Sequence, residues 1–117
     1  MSAIYNPSDE VYVKFEINAP TQPDTFYVKL RSNTHITNEN FLNYVNAGLY
    51  DNTMFHRSIP EFVIQGGGWQ APTVAADQPG SNPVRIPNLF SSIRNEPFNS
   101  NTLGTISMAK LGGQPDS

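Results

Sequence analysis

One run near the middle of the chain, residues 55–67 (FHRSIPEFVIQGG), constrains the fold most. Its alternating pattern predicts two short strands, Met54 to Ile59 and Phe62 to Gln65, because side chains two residues apart share one face of a strand. Proline lacks the N–H donor of a strand ladder, so we expect a turn at Pro60-Glu61. The three glycines after Gln65 favour a bend or a close backbone approach over continued pairing.

These strands predict a site that combines a cation, an amide and apolar walls. Alternation places Phe55, Arg57 and Ile59 on one face of the first strand, and Val63 and Gln65 on one face of the second. A fixed guanidinium and a side-chain amide would then lie beside apolar surface, which suits an apolar ligand that carries one amide. Taken alone, an arginine on a strand is more often a surface or ion-paired residue.

Length and composition bound the class of protein. The 117 residues predict a single domain, and ten Pro and eight Gly favour short strands and turns over long helices. The net charge is −3 and the seven basic residues are scattered, so no nucleic-acid partner is expected. No apolar run approaches the ~20 residues of a membrane helix, so no membrane partner is expected. The chain has no cysteine, which excludes disulfides and thiol catalysis.

The first residues have neither the basic segment nor the apolar segment of an export signal. We therefore expect a cytoplasmic location. The alternative is a periplasmic or secreted location after removal of a leader.

Before the central run, the pattern predicts an arm and a hairpin. Residues 1–10 have no periodicity and are expected to form a loose N-terminal arm. Alternation over residues 11–17 and 26–30 predicts two half-buried antiparallel strands. Their inward-facing residues are predicted to be Val11, Val13, Phe15, Ile17, Phe26, Val28 and Leu30.

One amphipathic helix of roughly ten residues is expected to follow the hairpin and cap its sheet. Its apolar residues recur at helical spacing: Phe41, Leu42, Val45 and Leu49. Thr37 is a good N-cap, Glu39 would lie in the first turn, and Gly48 supplies a stop.

After the central run, the prolines of residues 69–87 predict a long surface loop. Residues 91–96 are predicted to be extended or a short strand, and residues 104–109 the last strand. One helix with about six strands predicts a mainly antiparallel β fold that is closed or nearly closed.

The chemistry of the central run suits a reaction without bond cleavage. The chain lacks a serine-nucleophile motif and a phosphate loop, and His35 and His56 are too far apart in sequence to form a metal-spaced pair, so no metal or cofactor is expected. Rotation about an X–Pro bond needs only that the ~18–20 kcal/mol barrier of amide resonance be lowered. A guanidinium aimed at the twisted proline nitrogen would stabilise the transition state more than either planar isomer.

The central run also resembles the signature of cyclophilin-type peptidyl-prolyl cis-trans isomerases. Residues 40–45 (NFLNYV), 95–96 (NE) and 104–109 (GTISMA) resemble further motifs of that family, in the same order. The resemblance extends from about Val11 to the last residue. It implies an antiparallel β-barrel with a capping helix that isomerises X–Pro bonds of polypeptides and assists protein folding, without a cofactor.

The resemblance implies roles for five residues. Arg57 would be catalytic, Phe62 and Val63 would form the proline pocket, and Ala109 would line the neighbouring peptide groove. Gln65 would lie beside Arg57 and either hold it in place or bind a substrate carbonyl. Similar proteins bind the cyclic peptide cyclosporin, so cyclosporin-like peptides are further expected ligands.

The chain departs from the family pattern at three places. Val63 stands where the family usually has Met, and Glu61 stands at a turn position often held by Gly. Beyond residues 112–117 the family usually continues with pocket residues and closing strands. We therefore expect a barrel that is incomplete at its C-terminal end, and a chain that is unstable alone or completed by another chain or by swapping. The alternative function is a non-catalytic proline-peptide-binding module or an inactive fragment.

Overall fold

The computed structural model describes residues 1–5, 10–18, 21–72, 74, 77–79, 82–87 and 92–109. The chain divides into two compact units, a first unit of residues 1–48 with 90–117 and a second unit of residues 49–89. Each unit contains one three-stranded antiparallel sheet. The mainly β fold class is therefore confirmed. Neither sheet closes on itself among the described residues, so the expectation of closure is wrong there, whereas an incomplete barrel is consistent with what is observed. The single domain over residues 1–117 stays a prediction.

The first sheet has the order β1-β2-β3, formed by Ser2–Tyr5, Val11–Ile17 and Asp24–Lys29. Its central strand β2 has the bounds that alternation predicts, and it buries Val13 and Phe15 on one face. β1 pairs with β2 in an antiparallel register, so the loose arm predicted for residues 1–10 is wrong at residues 2–5. Short pieces without periodicity are recruited into a sheet by the unpaired backbone groups of a neighbouring strand.

The edge strand β3 is more exposed than its pattern predicts. Phe26, expected to face inward, keeps 40% of its surface exposed. One face of its ring stacks on Phe15, with 4.8 Å between ring centroids, and such pairs contribute about 0.5–1.5 kcal/mol beyond area burial. An edge strand covers its side chains from one side only, which leaves the other face of the ring in water.

The helix α1, His35–Asn46, packs its apolar stripe on the first sheet. Phe41 and Val45 are buried as predicted, and the Phe41 ring lies 6.4 Å from that of Phe15. Gly48 ends the helix as predicted: its φ is +72°, and its N–H donates to the Val45 carbonyl at 3.1 Å.

The predicted start of α1 is wrong. The N-cap is Thr34 rather than Thr37, and no acidic side chain lies in the first turn, so Glu39 falls later in the helix. The Thr37 N–H instead donates to Glu96 Oε1 at 2.6 Å. A carboxylate 59 residues away in the chain therefore serves the helix N-terminus, and sequence rules that look for local caps miss it.

The surroundings of Glu96 favour its ionised carboxylate. Burial alone would raise the pKa of its carboxyl, but hydrogen bonds from Thr37 and from the Ile36 N–H, with the nearby His35, outweigh burial and hold that pKa below its ordinary value of 4.5. Close by in the chain, Asn99 forms a reciprocal pair of amide hydrogen bonds with Asn33 and accepts another from Arg31. Residues 96–99 are thereby held against the segment that leads into α1.

The second sheet has the order β4-β5-β6, formed by Thr53–Ile59, Val63–Gln70 and Val84–Arg85. The long loop predicted over residues 69–87 therefore contains the end of β5 and all of β6. None of the described residues of the second unit is fully buried.

In their described residues, the two remaining segments form no strand, although 104–109 was predicted to be a strand and 91–96 to be extended or a short strand. Within the described part of residues 91–96, Arg94 alone forms an isolated bridge. Residues 104–109 form no strand: Gly104 has a φ of +83°, the Thr105 N–H closes a turn onto the Thr102 carbonyl, and the residues that follow are exposed. An alternating pattern alone does not make a strand, because a strand needs a partner for its ladder. No helix in the described ranges is long and apolar enough to cross a bilayer.

Replacement of Glu96 by Gln tests the long-range cap. Because the folded-state pKa is lowered, the carboxylate stabilises the fold above the unfolded-state pKa, and this contribution is lost as pH falls through the folded value. We expect Glu96→Gln to lower the thermal midpoint at pH 7, and the gap from the unsubstituted chain to narrow at pH 3.

Glu39→Gln is the matched control, because Glu39 is an exposed residue of α1, the helix that Glu96 caps. This substitution should change the thermal midpoint little. A gap for Glu96→Gln that stays constant between the two pH values would contradict the carboxylate cap.

Candidate functional site

The hairpin of β4 and β5 brings the central run together. Its turn comprises Ile59, Pro60, Glu61 and Phe62, and the Phe62 N–H donates to the Ile59 carbonyl at 3.1 Å. Proline at the second position and the φ of +60° at Glu61 are the features of a type II turn. Ile59 pairs with Val63 directly beyond it. The predicted turn at Pro60-Glu61 is therefore confirmed.

Register places Arg57 opposite Gln65. The two residues are cross-strand partners, and Arg57 Nη1 donates to Gln65 Oε1 at 3.3 Å. This is a long hydrogen bond, and it occupies one of the five donors of the guanidinium. Gln65 is half-buried, whereas Arg57 is exposed. The amide thus orients the cation and leaves most of its donors available to a ligand.

Phe62 supplies an apolar surface beside the cation. Its ring centroid lies 5.8 Å from Arg57 Cζ, within cation–π range. The side chain is 74% exposed, which is far above what a core phenylalanine would show. Val63, half-buried, follows it at the start of β5. Four of the five predicted site residues, Arg57, Phe62, Val63 and Gln65, therefore lie together on one hairpin.

Ala109 belongs to the first unit, where it is exposed and outside any strand. Its part in a peptide groove stays a prediction. The site roles of the four hairpin residues are likewise predictions, which their geometry supports.

Strand pairing was expected to end at the glycines after Gln65, but it does not. β5 continues through them to Gln70, with register shifts on both sides of the Phe55–Gly66 pair. The expected close approach is present: a Cβ added to Gly66 would lie 2.7 Å from Phe55 Cδ1 and 2.9 Å from the Met54 carbonyl oxygen. Gly67 has a φ of +87°, and a Cβ added to it would lie 3.1 Å from Tyr50 Cδ1. Glycine here permits a bulged strand instead of ending it.

A second cation–aromatic pair was not predicted. Arg85 on β6 is the register partner of Trp69 on β5, and its Cζ lies 5.3 Å from the Trp69 ring. The sequence pattern did not indicate β6, because a two-residue strand between prolines resembles a loop. The described residues contain no group of three His, Cys, Asp or Glu side chains that could hold a metal ion.

Comparison with known proteins gives a family match. A family model described as "Cyclophilin type peptidyl-prolyl cis-trans isomerase/CLD" matches residues 12–117. The chain is 42% identical over 74 residues to peptidyl-prolyl cis-trans isomerase A of Dickeya dadantii, covering 62% of this chain and 33% of that protein. It is 41% identical over 76 residues to peptidyl-prolyl cis-trans isomerase B of Escherichia coli, covering 63% and 40%.

A third relative, a peptidyl-prolyl cis-trans isomerase of Acinetobacter baylyi, is 39% identical over 84 residues, which cover 70% of this chain and 38% of the relative. The chain thus spans about a third to two fifths of the length of these curated relatives. No solved structure matches it significantly.

Replacement of Gly66 by Ala tests the close approach in the hairpin. The new Cβ would meet both a side chain and a backbone oxygen within 3.0 Å, so the ladder must shift. We expect a loss of about 1–3 kcal/mol in the free energy of unfolding, measured by urea denaturation.

Gly68→Ala is the matched control, since a Cβ there meets nothing within 4 Å and the residue has no positive φ. It should change stability by at most about 0.5 kcal/mol. Equal losses in the two variants would contradict the packing of Phe55 on Gly66.

Proposed function

Because the chain belongs to the cyclophilin-type peptidyl-prolyl cis-trans isomerase family, we propose that it catalyses the cis–trans isomerisation of X–Pro bonds in polypeptides and so assists protein folding. The observation that carries the proposal is the guanidinium of Arg57, oriented by Gln65 beside the exposed ring of Phe62. These are the parts that the reaction needs.

The reaction is limited by amide resonance. Rotation about an X–Pro bond crosses a barrier of ~18–20 kcal/mol because the partial double bond must be broken at the twisted geometry. There the proline nitrogen becomes pyramidal, and its lone pair can accept a hydrogen bond. A donor that meets this lone pair only in the twisted state lowers the barrier, since it stabilises the transition state more than either planar isomer.

Arg57 is suited to this donation. A guanidinium stays charged at all physiological pH values and presents several N–H groups in a rigid fork. The hydrogen bond to Gln65 and the contact with Phe62 limit its side-chain freedom before a substrate arrives. Preorganised donors are effective because little reorganisation is needed when charge develops.

Phe62 and Val63 would hold the pyrrolidine ring. The flat, exposed Phe62 ring can cover one face of a proline, and Val63 extends the apolar surface at the start of β5. Rotation about one bond requires one end of the substrate to be held while the other turns. The apolar surface fixes the proline end, and Arg57 acts at the nitrogen between the two ends.

A second candidate function is a binding module that holds proline-containing peptides without turning them over. The exposure of Arg57 and Phe62 favours it, because a cation in water stabilises developing charge less than one in a water-excluded site. Cyclosporin-like cyclic peptides are proposed as further ligands of the same surface, and the cytoplasm as its location.

Replacement of Arg57 by Ala separates the two candidates. With a short X–Pro peptide, we expect accelerated cis–trans exchange by NMR exchange spectroscopy for the unsubstituted chain. For Arg57→Ala we expect a loss on the order of a hundredfold, as for removal of a transition-state hydrogen-bond donor. Arg57→Lys keeps the charge without the fork and should fall between the two.

Arg85→Ala is the matched control, because it removes a cation with an aromatic contact from the same unit. It should leave exchange unchanged. Peptide shifts without faster exchange in the unsubstituted chain would support the binding module instead.

Replacement of Gln65 by Ala tests whether this residue positions Arg57. Loss of the amide frees the guanidinium, so we expect kcat to fall roughly tenfold while KM changes little, equivalent to ~1.4 kcal/mol. Gln65→Glu keeps an acceptor for the guanidinium and should restore most of kcat. A rise in KM at unchanged kcat would instead assign Gln65 to a substrate carbonyl.

A further inference from the structure

Glu61 holds a backbone conformation that glutamate rarely adopts. Its φ is +60° at the third position of the β4–β5 turn, where a type II turn favours glycine or asparagine. The other non-glycine residue with positive φ in the described chain is Asn52, a residue type that tolerates it. A residue in a sparsely populated backbone conformation persists only when the surrounding structure holds it there, and such residues cluster at active sites and ligand-binding sites.

The Glu61 carboxylate does not stabilise the fold through polar contacts with the described residues. It is exposed, and the described residues offer its carboxylate no hydrogen bond or ion pair. It precedes Phe62 directly in the chain, and consecutive Cα atoms lie ~3.8 Å apart. This anion is therefore attached to the immediate chain neighbour of Phe62, the residue on which a substrate proline would lie.

We propose that Glu61 is a specificity-determining residue that makes this site prefer peptides with a lysine or arginine near the proline. The proposal rests on the proline-directed function above and names its substrate class. An extended peptide advances ~3.3 Å per residue, so a residue two positions from a proline on Phe62 lies roughly 7 Å away. The long side chain of lysine or arginine can cover the distance from that residue to the Glu61 carboxylate. An acidic side chain at the same position is repelled by the carboxylate.

The expected size of this peptide preference follows from the exposure of the Glu61 side chain. An ion pair between exposed side chains changes an equilibrium by a factor of about two to five. Comparison of a lysine peptide with a glutamate peptide adds attraction in one to repulsion in the other. We therefore expect a preference of roughly three- to tenfold at low salt, which shrinks as salt screens the charges.

The test uses the 117-residue chain with two pairs of short peptides. One pair is acetyl-Lys-Ala-Pro-Phe-amide and its glutamate counterpart, and the other is acetyl-Ala-Pro-Phe-Lys-amide and its glutamate counterpart. The varied residue lies two positions from proline, because the residue directly before proline changes the intrinsic cis population. Exchange catalysis (kcat/KM) and NMR-derived Kd are measured at about 0.02 M and about 0.5 M salt.

Two variants remove the charge in different ways. Glu61→Gln keeps the length of the side chain, and Glu61→Asn suits the positive φ, so at least one retains the turn. In both variants, the lysine peptide and the glutamate peptide should have nearly equal kcat/KM values and nearly equal Kd values, so that each lysine-to-glutamate ratio falls close to one. Glu39→Gln makes the same charge change on α1 in the first unit and should keep the ratio of the unsubstituted chain.

A ratio near one in the unsubstituted chain, for both peptide pairs, would overturn the proposal. So would a preference that survives in both Glu61 variants. Failure of the isomerase function has a different outcome: no peptide is turned over, while the Kd ratio still reports whether Glu61 discriminates.

Discussion

The antiparallel register of β4 with β5 is the constraint on which the candidate site depends. It places Arg57 opposite Gln65 and Ile59 opposite Val63. Since successive side chains of a strand alternate between faces, a slip of one residue would separate the guanidinium from the amide. A four-residue turn fixes this register at one end, and the close packing of Phe55 on Gly66 fixes it at the other.

The two units are stabilised in different ways. In the first, Val13, Phe15, Phe41 and Val45 form a small buried core between sheet and helix. In the second, the described residues bury no side chain fully, and the ladder, the bulged glycines and two cation–aromatic contacts hold the hairpin. Regions with few buried apolar contacts open locally at low cost in free energy. A peptide site on such a hairpin, as proposed above, would obtain part of its order from the bound peptide.

The exposure of the site bears on its chemistry. Arg57 and Phe62 face water, so in the proposed reaction a substrate would have to provide some of the desolvation that makes a hydrogen bond to the proline nitrogen effective. Under this condition, catalysis would depend on binding of the apolar proline ring. The same exposure underlies the selectivity proposed for Glu61, because a charge beside a partly solvated site would affect which peptide sequences approach.

The sequence by itself determined several local elements and the hairpin on which the candidate site lies. Alternation predicted the bounds of β2, and proline chemistry predicted the Pro60-Glu61 turn. The central motif brought together four residues that the structure places on one hairpin, Arg57, Phe62, Val63 and Gln65. The predictions that failed concern long-range partners. The start of α1 depends on Glu96, β1 forms because β2 offers it a ladder, and β5 continues because Gly66 lets Phe55 approach.

The tertiary structure decided these features, because each depends on which backbone groups and side chains the fold brings opposite one another, and periodicity does not contain that information. It also decided against a strand at residues 104–109, where alternation was present but a hydrogen-bonding partner was not found in the described chain. Periodicity reports which face of a segment is apolar. Whether that segment becomes a strand, and where a helix begins, is set by the backbone donors and acceptors that the fold brings to it.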